Sequence, residues 1–339
     1  MLGYILLFLF VFLIGHSRCP NKQKLSFAFF VIFLFSGLRY GIGYDYFSYF
    51  QMIQDEETQT ELIPDVMMDV ARDTHFSVFF LLSSLWICLF YVAGLRKMNC
   101  SYECVVFFIG YPSLLMMSVS AIRQCMAFSV IFLLLCNKNP GLLKKLLYIS
   151  VAFLCHQSSV IALLILFPLR RLGKRSLWIC FVLSFILGEV VSKVLLSIDA
   201  GNPIITKFQH YLSEDMGGGG FLRLIIYILT FFSLLHYDKL KSRGYGDYVA
   251  YVCIGSSLYS LFTVNAHLAE RFCTFFFAVI MIYIHDLRVL SRVPKAIYNL
   301  ILIVIFIGYI CIAHKTSQSG PWTRYKDSSY YPYETFIGE

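Results

Sequence analysis

The chain has 339 residues, of which 58% are hydrophobic and only 14% charged, and its mean hydropathy is +0.71. This balance excludes a water-soluble domain of that length, and apolar runs recur from the first residues to about residue 312. The net charge of +8 comes from lysines and arginines scattered in small groups between those runs, which excludes a basic nucleic-acid-binding stripe.

Continuous apolar runs, rather than alternating strands of about ten residues, predict an all-α, polytopic integral membrane protein. Most of the eleven cysteines lie inside those runs, and no paired Cys/His spacing is present, so neither a disulfide framework nor a structural metal is expected. The first run, from Leu2 to Ile14, has no basic leader and no small-residue cleavage site, and is read as a retained helix.

Six basic groups punctuate the chain: Arg18/Lys22/Lys24, Arg96/Lys97, Lys138/Lys144/Lys145, Arg170/Arg171/Lys174/Arg175, Lys239/Lys241/Arg243 and Arg288/Arg292/Lys295. If all are cytoplasmic, each neighbouring pair is separated by an even number of crossings. This predicts about 12 transmembrane segments, some short or re-entrant, with both termini outside. Residues 1–313 form the membrane domain, with external loops at about 39–75 and 199–220 that collect acidic residues, and 314–339 form a polar external tail. The tail aromatics Trp322, Tyr325, Tyr330, Tyr331 and Tyr333 suit an interfacial resting place.

Between Glu103 and Cys136 there is room for two short helices, with Gly110, Pro112 and the Ser118/Ser120 region near the turn and Arg123 and Gln124 at the outer end. The segment from Lys145 to Arg170 has basic residues at both ends and about 24 residues between them, so a short hairpin with its tip at Cys155-His156-Gln157-Ser158-Ser159 is expected. Plainer crossings follow at about 177–196, 221–235, 248–264, 272–284 and 296–312.

The first acidic loop opens with Ser36 to Phe50, SGLRYGIGYDYFSYF, where an apolar run stops at Arg39 and meets Asp45 among glycines and tyrosines. Arg39, Arg123, Arg223 and Arg271 all fall at external helix ends. An arginine there is costly to insert, at about 2.5–3.5 kcal/mol near a helix centre, and is either functional or snorkels to the interface. Asp45, Gln124 and Glu270 lie close in sequence to three of the four. Several guanidinium forks on one face would suit a phosphate or pyrophosphate. Asp45 with Tyr40, Tyr44, Tyr46 and Tyr49 forms either a sugar platform or a helix-start carboxylate in an interfacial tyrosine belt. His156 is a candidate general base or a packed core histidine, and His267 competes with it. Glu61, Asp65, Asp69 and Asp73 recur every four residues and are expected as one solvated stripe on an interfacial helix.

Four motifs in this order, GLRYGIGYDYFSY at 37–49, AIRQCMAFSVIFL at 121–133, FLCHQSSVIALL at 153–164 and AERFCTFFF at 269–277, resemble the EpsG-like group of bacterial O-antigen and exopolysaccharide polymerases (Wzy-type). The resemblance implies a multi-pass glycosyltransferase of the inner membrane with a GT-C-like polymerase/ligase architecture and no metal or other cofactor. It implies as partners an undecaprenyl-pyrophosphate-linked oligosaccharide donor and acceptor, membrane lipid, and a chain-length regulator protein. It implies Arg39, Arg123 and Arg271 as pyrophosphate or sugar-phosphate contacts, His156 or Asp45 as proton acceptor, and Tyr46, Gln124 and Glu270 as substrate-binding support, at a site facing the periplasm. A lipid-linked sugar transporter (flippase) and an O-antigen-ligase-type transferase are the alternatives.

Overall fold

The computed structural model describes residues 2–55, 61–167, 171–197, 220–262, 266–319 and 333–335. The described chain is helical apart from one two-stranded ribbon, and it divides into two compact units, Met1–Val160 with Val293–Glu339, and Ile161–Arg292. Most of the expected external loop at about 199–220, and Trp322, Tyr325, Tyr330 and Tyr331 of the tail, lie outside the described residues, as does the His267 side chain.

Among the described residues two helices have the length and hydropathy of a full crossing, Ser77–Lys97 and Lys295–Ala313. Two bent pairs, Glu103–Gly110 with Pro112–Ser120 and Leu268–Ile282 with Ile284–Leu290, pass that test jointly, with bends of 57° and 69°. Four further apolar helices of 10–17 residues are shorter than a bilayer's hydrocarbon core requires.

In the first unit, α1 (Leu2–His16) and α2 (Asn21–Gly37) pack side by side, and α2 packs on α5 (Ser77–Lys97). Between α2 and α5 run a short strand β1 (Arg39–Tyr40), α3 (Tyr46–Gln54) and α4 (Leu62–Asp73). The stretch after Glu103 forms three helices rather than two: α6 (Glu103–Gly110), α7 (Pro112–Ser120) and α8 (Ile122–Leu135). The first break is at Tyr111, whose extended backbone is what a following proline imposes, with Pro112 set at the first position of α7. The second is at Ala121, immediately before Arg123. Helix α9 (Leu142–Cys155) packs on α8 and α4 and stops at His156, whose backbone is extended at φ −164° and ψ 129°. A 3-10 helix, Gln157–Leu166, begins at the next residue, so the chain breaks where the hairpin tip was expected.

Helix α4 is amphipathic. Leu62, Val66 and Val70 are exposed along one row while Pro64, Met68 and Ala71 are buried, so the outward row is apolar and its natural neighbour is lipid.

The second unit is built around α13 (Gly246–Leu261), against which pack α10 (Lys174–Ser197), α11 (Gly220–Leu235) and α14 (Ala266–Phe277). The short α12 (Tyr237–Ser242) links α11 to α13. Close approach here depends on missing side chains. A Cβ at Gly255 would meet the Cys273 carbonyl oxygen at 2.8 Å, and one at Gly188 would meet that of Ser260 at 2.2 Å. A 3-10 turn (Ala278–Ile282) and α15 (Ile284–Leu290) complete this unit. Helix α16 (Lys295–Ser319) returns the chain to the first unit, where it packs on α6.

The last described residues form β2 (Glu334–Thr335), which pairs antiparallel with β1, Arg39 opposite Thr335 and Tyr40 opposite Glu334. Tyr333, one of the tail aromatics, is half-buried against α2. It stacks on Phe35 at 4.2 Å between ring centroids, and its hydroxyl donates to the Phe35 carbonyl at 2.6 Å.

Candidate functional site

Three helix ends of the first unit converge on one carboxylate. Glu61 is the residue before α4, in extended backbone, so its side chain does not follow the helical stripe of Asp65, Asp69 and Asp73 and turns inward to 4% exposure. Its Oε2 accepts from Nη1 of Arg123, in the first turn of α8, at 2.5 Å. Its Oε1 lies 2.9 Å from Nδ1 of His156, at the end of α9. The expected solvated stripe is therefore corrected at its first member. Asp69 remains exposed and pairs with Arg72 on the same helix.

An ionised carboxylate can only accept, so the Glu61–His156 contact places the proton on Nδ1 and leaves Nε2 as the basic nitrogen. Among the described residues Nε2 has no hydrogen-bond partner, and the His156 side chain keeps 21% of its surface exposed. The arrangement is a carboxylate-oriented imidazole, a suitable general base for a hydroxyl.

Arg123 retains 23% exposure and lies over the Tyr49 ring, its Cζ 5.8 Å from the centroid. Tyr49, on α3, is buried, and burial pushes its phenol up to about 12, with the Asp45 charge adding to the rise, so it stays a neutral support. Asp45 occupies the position before α3 without a side-chain capping bond, is half-buried, and acts electrostatically on both Tyr49 and Arg123. Gln124 is 2% exposed and donates from Nε2 to Ser158 Oγ at 3.1 Å. It therefore ties α8 to the turn just past His156 through Nε2, while its Oε1 is buried with no hydrogen-bond partner among the described residues.

Two residues expected at the substrate surface belong to the framework instead. Arg39 is 0% exposed. Its Nε donates to the Ile42 carbonyl at 3.1 Å, Nη2 to that of Val119 at 3.2 Å, and Nη1 to that of Ser36, while the guanidinium lies 4.9 Å from the Phe80 ring centroid. Burial lowers its pKa to about 10, so it remains charged at neutrality. The physical reason for its inward position is the turn of positive-φ glycines, Gly41 and Gly43, that folds the Ile42 carbonyl back onto it. Tyr46 is likewise 0% exposed and stacks flat on Phe80 at 4.3 Å, the same ring that Arg39 lies against.

Arg271 and Glu270 sit in the second unit, on α14, both half-buried. Arg271 takes no hydrogen-bond or ion-pair partner among the described residues. Glu270 acts electrostatically on Tyr259 of α13. Arg223 is exposed and lies 5.5 Å from the Tyr227 ring centroid on its own helix, which is the snorkelling geometry. Among the described residues no group of three His, Cys, Asp or Glu side chains is arranged to hold a metal.

Sequence reading grouped Arg123 and His156 with Arg39, Asp45 and Arg271 but missed Glu61, because a four-residue repeat reads as one helical face. The usable signal was the proline at position 64, which marks Glu61 and Leu62 as the start of the helix and so takes Glu61 off that face. No curated protein and no solved structure matches the chain significantly. The EpsG family model does match, over residues 24–335, nearly the whole length and all four motifs. The chain is therefore an all-helical membrane protein that belongs to the EpsG family.

Proposed function

We propose that this protein is a polysaccharide polymerase that joins oligosaccharide repeat units carried on a polyprenyl pyrophosphate, undecaprenyl pyrophosphate in a bacterial inner membrane, at a site facing the periplasm. The observation that carries the reading is the single Glu61 carboxylate shared between Arg123 and His156, one oxygen to each.

In the proposed step, a sugar hydroxyl of the acceptor unit attacks the anomeric carbon of the donor chain. His156 Nε2 takes the hydroxyl proton as the new glycosidic bond forms. The bond from the anomeric carbon to the pyrophosphate oxygen breaks, and the lipid pyrophosphate leaves with that electron pair. Arg123 offers positive charge where the leaving group gains negative charge. Glu61 holds the imidazole in its productive tautomer and compensates the imidazolium that forms. The donor brings its own leaving group, so the chemistry needs no nucleotide.

A carrier of lipid-linked sugars would be expected to place its ionisable groups near mid-membrane on several helices. Glu61, Arg123 and His156 are instead at the start of α4, the start of α8 and the end of α9, which favours a surface-cavity enzyme. The test is glycan display in cells lacking the native protein. His156→Ala, expressed to normal levels, is expected to give single repeat units in place of a polymer ladder, and an undiminished ladder would overturn the assignment.

A further inference from the structure

The C-terminal part of the chain holds the turn that carries Arg39 at two places, and Tyr333 anchors it on the helices beside that turn. Strand β2 pairs with β1 in the register Arg39 to Thr335 and Tyr40 to Glu334. Tyr333 is inserted between helices α1 and α2, stacked on Phe35 at 4.2 Å, edge-on to Tyr4 at 5.7 Å, and hydrogen-bonded to the Phe35 carbonyl at 2.6 Å. Gly3 makes room for it, since a Cβ there would lie 2.5 Å from the Tyr333 ring. The turn is held a second time from the end of α16, where the Tyr44 hydroxyl donates to the Ala313 carbonyl at 3.1 Å. Residues 313 and 333–335 thus bracket the tail, and both ends of the bracket rest on the 39–45 turn.

That turn reaches the candidate site through its other side. Arg39 Nη2 holds the Val119 carbonyl, the Tyr44 amide donates to Ser120 Oγ at 3.1 Å, and a Cβ on Gly43 would lie 2.1 Å from the Val119 oxygen. Val119 and Ser120 end α7, and Arg123 follows directly in α8. The turn also leads into α3, which carries Tyr49 against Arg123. A shift of the turn is therefore a shift of Arg123 from two directions.

We propose that Tyr333 and strand β2 are a positioning element of the site, a strap that clamps the Arg39 turn and through it holds Arg123 and Tyr49 in register with Glu61. The strap contributes no group to the chemistry. It acts because reacting geometry is intolerant of displacement, and about 1 Å of misplacement costs about 10²-fold in rate. The activity arm of the test rests on the polymerase reading, and the docking arm does not.

The docking arm uses the double variant Tyr40→Cys/Glu334→Cys in the full-length protein in membranes, with oxidation and mass spectrometry of the linked peptide. Formation of the cross-link is expected, and its absence overturns the strap whatever the protein's activity. In the activity arm, polymer formation from a lipid-linked repeat unit is measured at matched amounts of monodisperse protein. A chain ending at residue 332 and Tyr333→Ala are expected to lose about 10²-fold in rate. Tyr333→Phe, which keeps the stacking and loses only the hydroxyl bond, is expected to restore most of it, and the cross-linked protein is expected to match its reduced form. Full activity of the truncated chain overturns the positioning role. Loss of activity on cross-linking, recovered on reduction, also overturns it, because the strap would then have to leave for turnover. If His156→Ala is as active as the parent while the cross-link forms, the polymerase reading fails and the docking stands.

Discussion

Glu61 and His156 are 95 residues apart in the chain, and their side chains meet at 2.9 Å, carboxylate oxygen to Nδ1. The contact turns an isolated histidine into an oriented base and gives Arg123 a buried counter-charge at the same time.

Replacing Glu61 by Gln keeps the shape and an acceptor for Nδ1 but removes the charge that compensates an imidazolium. General-base assistance contributes about 10²–10⁴-fold. Glu61→Gln is expected to lose part of that factor and His156→Ala all of it. Rates of polymer formation at equal protein level check this order, and an equal or larger loss for the Gln variant would contradict it.

Arg39 is expected to act on stability before activity. Arg39→Ala leaves the Ser36, Ile42 and Val119 carbonyls without their donors, at about 1–3 kcal/mol for each buried group that stays unsatisfied. Lysine lacks the planar fork and recovers only part of this. Melting of the detergent-solubilised protein should fall in the order wild type, Arg39→Lys, Arg39→Ala.

The two glycines of the turn should respond differently to alanine. Gly41 has φ +63° and only ordinary contact with Phe47, at 3.6 Å, so the change costs about 1–2 kcal/mol of backbone strain. Gly43, at φ +104°, would press a Cβ into the Val119 carbonyl, and backbone has to move. Gly43→Ala should disable polymer formation while Gly41→Ala leaves it measurable.

A parallel contrast tests the second helix framework. Gly255→Ala forces α13 and α14 apart, whereas Gly308, in α16, has nothing among the described residues within 4 Å of its would-be Cβ. Gly308→Ala should be neutral or stabilise by up to about 1 kcal/mol through helix propensity, and Gly255→Ala should lower the melting temperature.

Helices and the functional motifs were legible because apolar runs, Pro112 and the break at His156 each have a local cause. Arg123 and His156 could be grouped from their motifs. The inward position of Arg39 could not, since an arginine at a helix end reads the same whether it snorkels outward or is folded back by glycines. Glu61 was hidden by the regular spacing of acids that follow it. The β1–β2 ribbon left no pattern at all, because two residues per strand are too few to show alternation and their partners are almost the full chain length apart. The six basic groups led to an expectation of about 12 crossings; among the described residues, local hydropathy and length mark two single helices and two bent pairs, and four further apolar helices have 10–17 residues.

The most direct measurement is turnover by the purified protein in a lipid bilayer supplied with a polyprenyl-pyrophosphate-linked repeat unit, following new glycosidic bonds and released lipid pyrophosphate together. The account predicts equal amounts of the two products from the wild-type protein and neither from His156→Ala. Movement of the lipid-linked unit across the bilayer with no new glycosidic bond, or bond formation undiminished in His156→Ala, would contradict it.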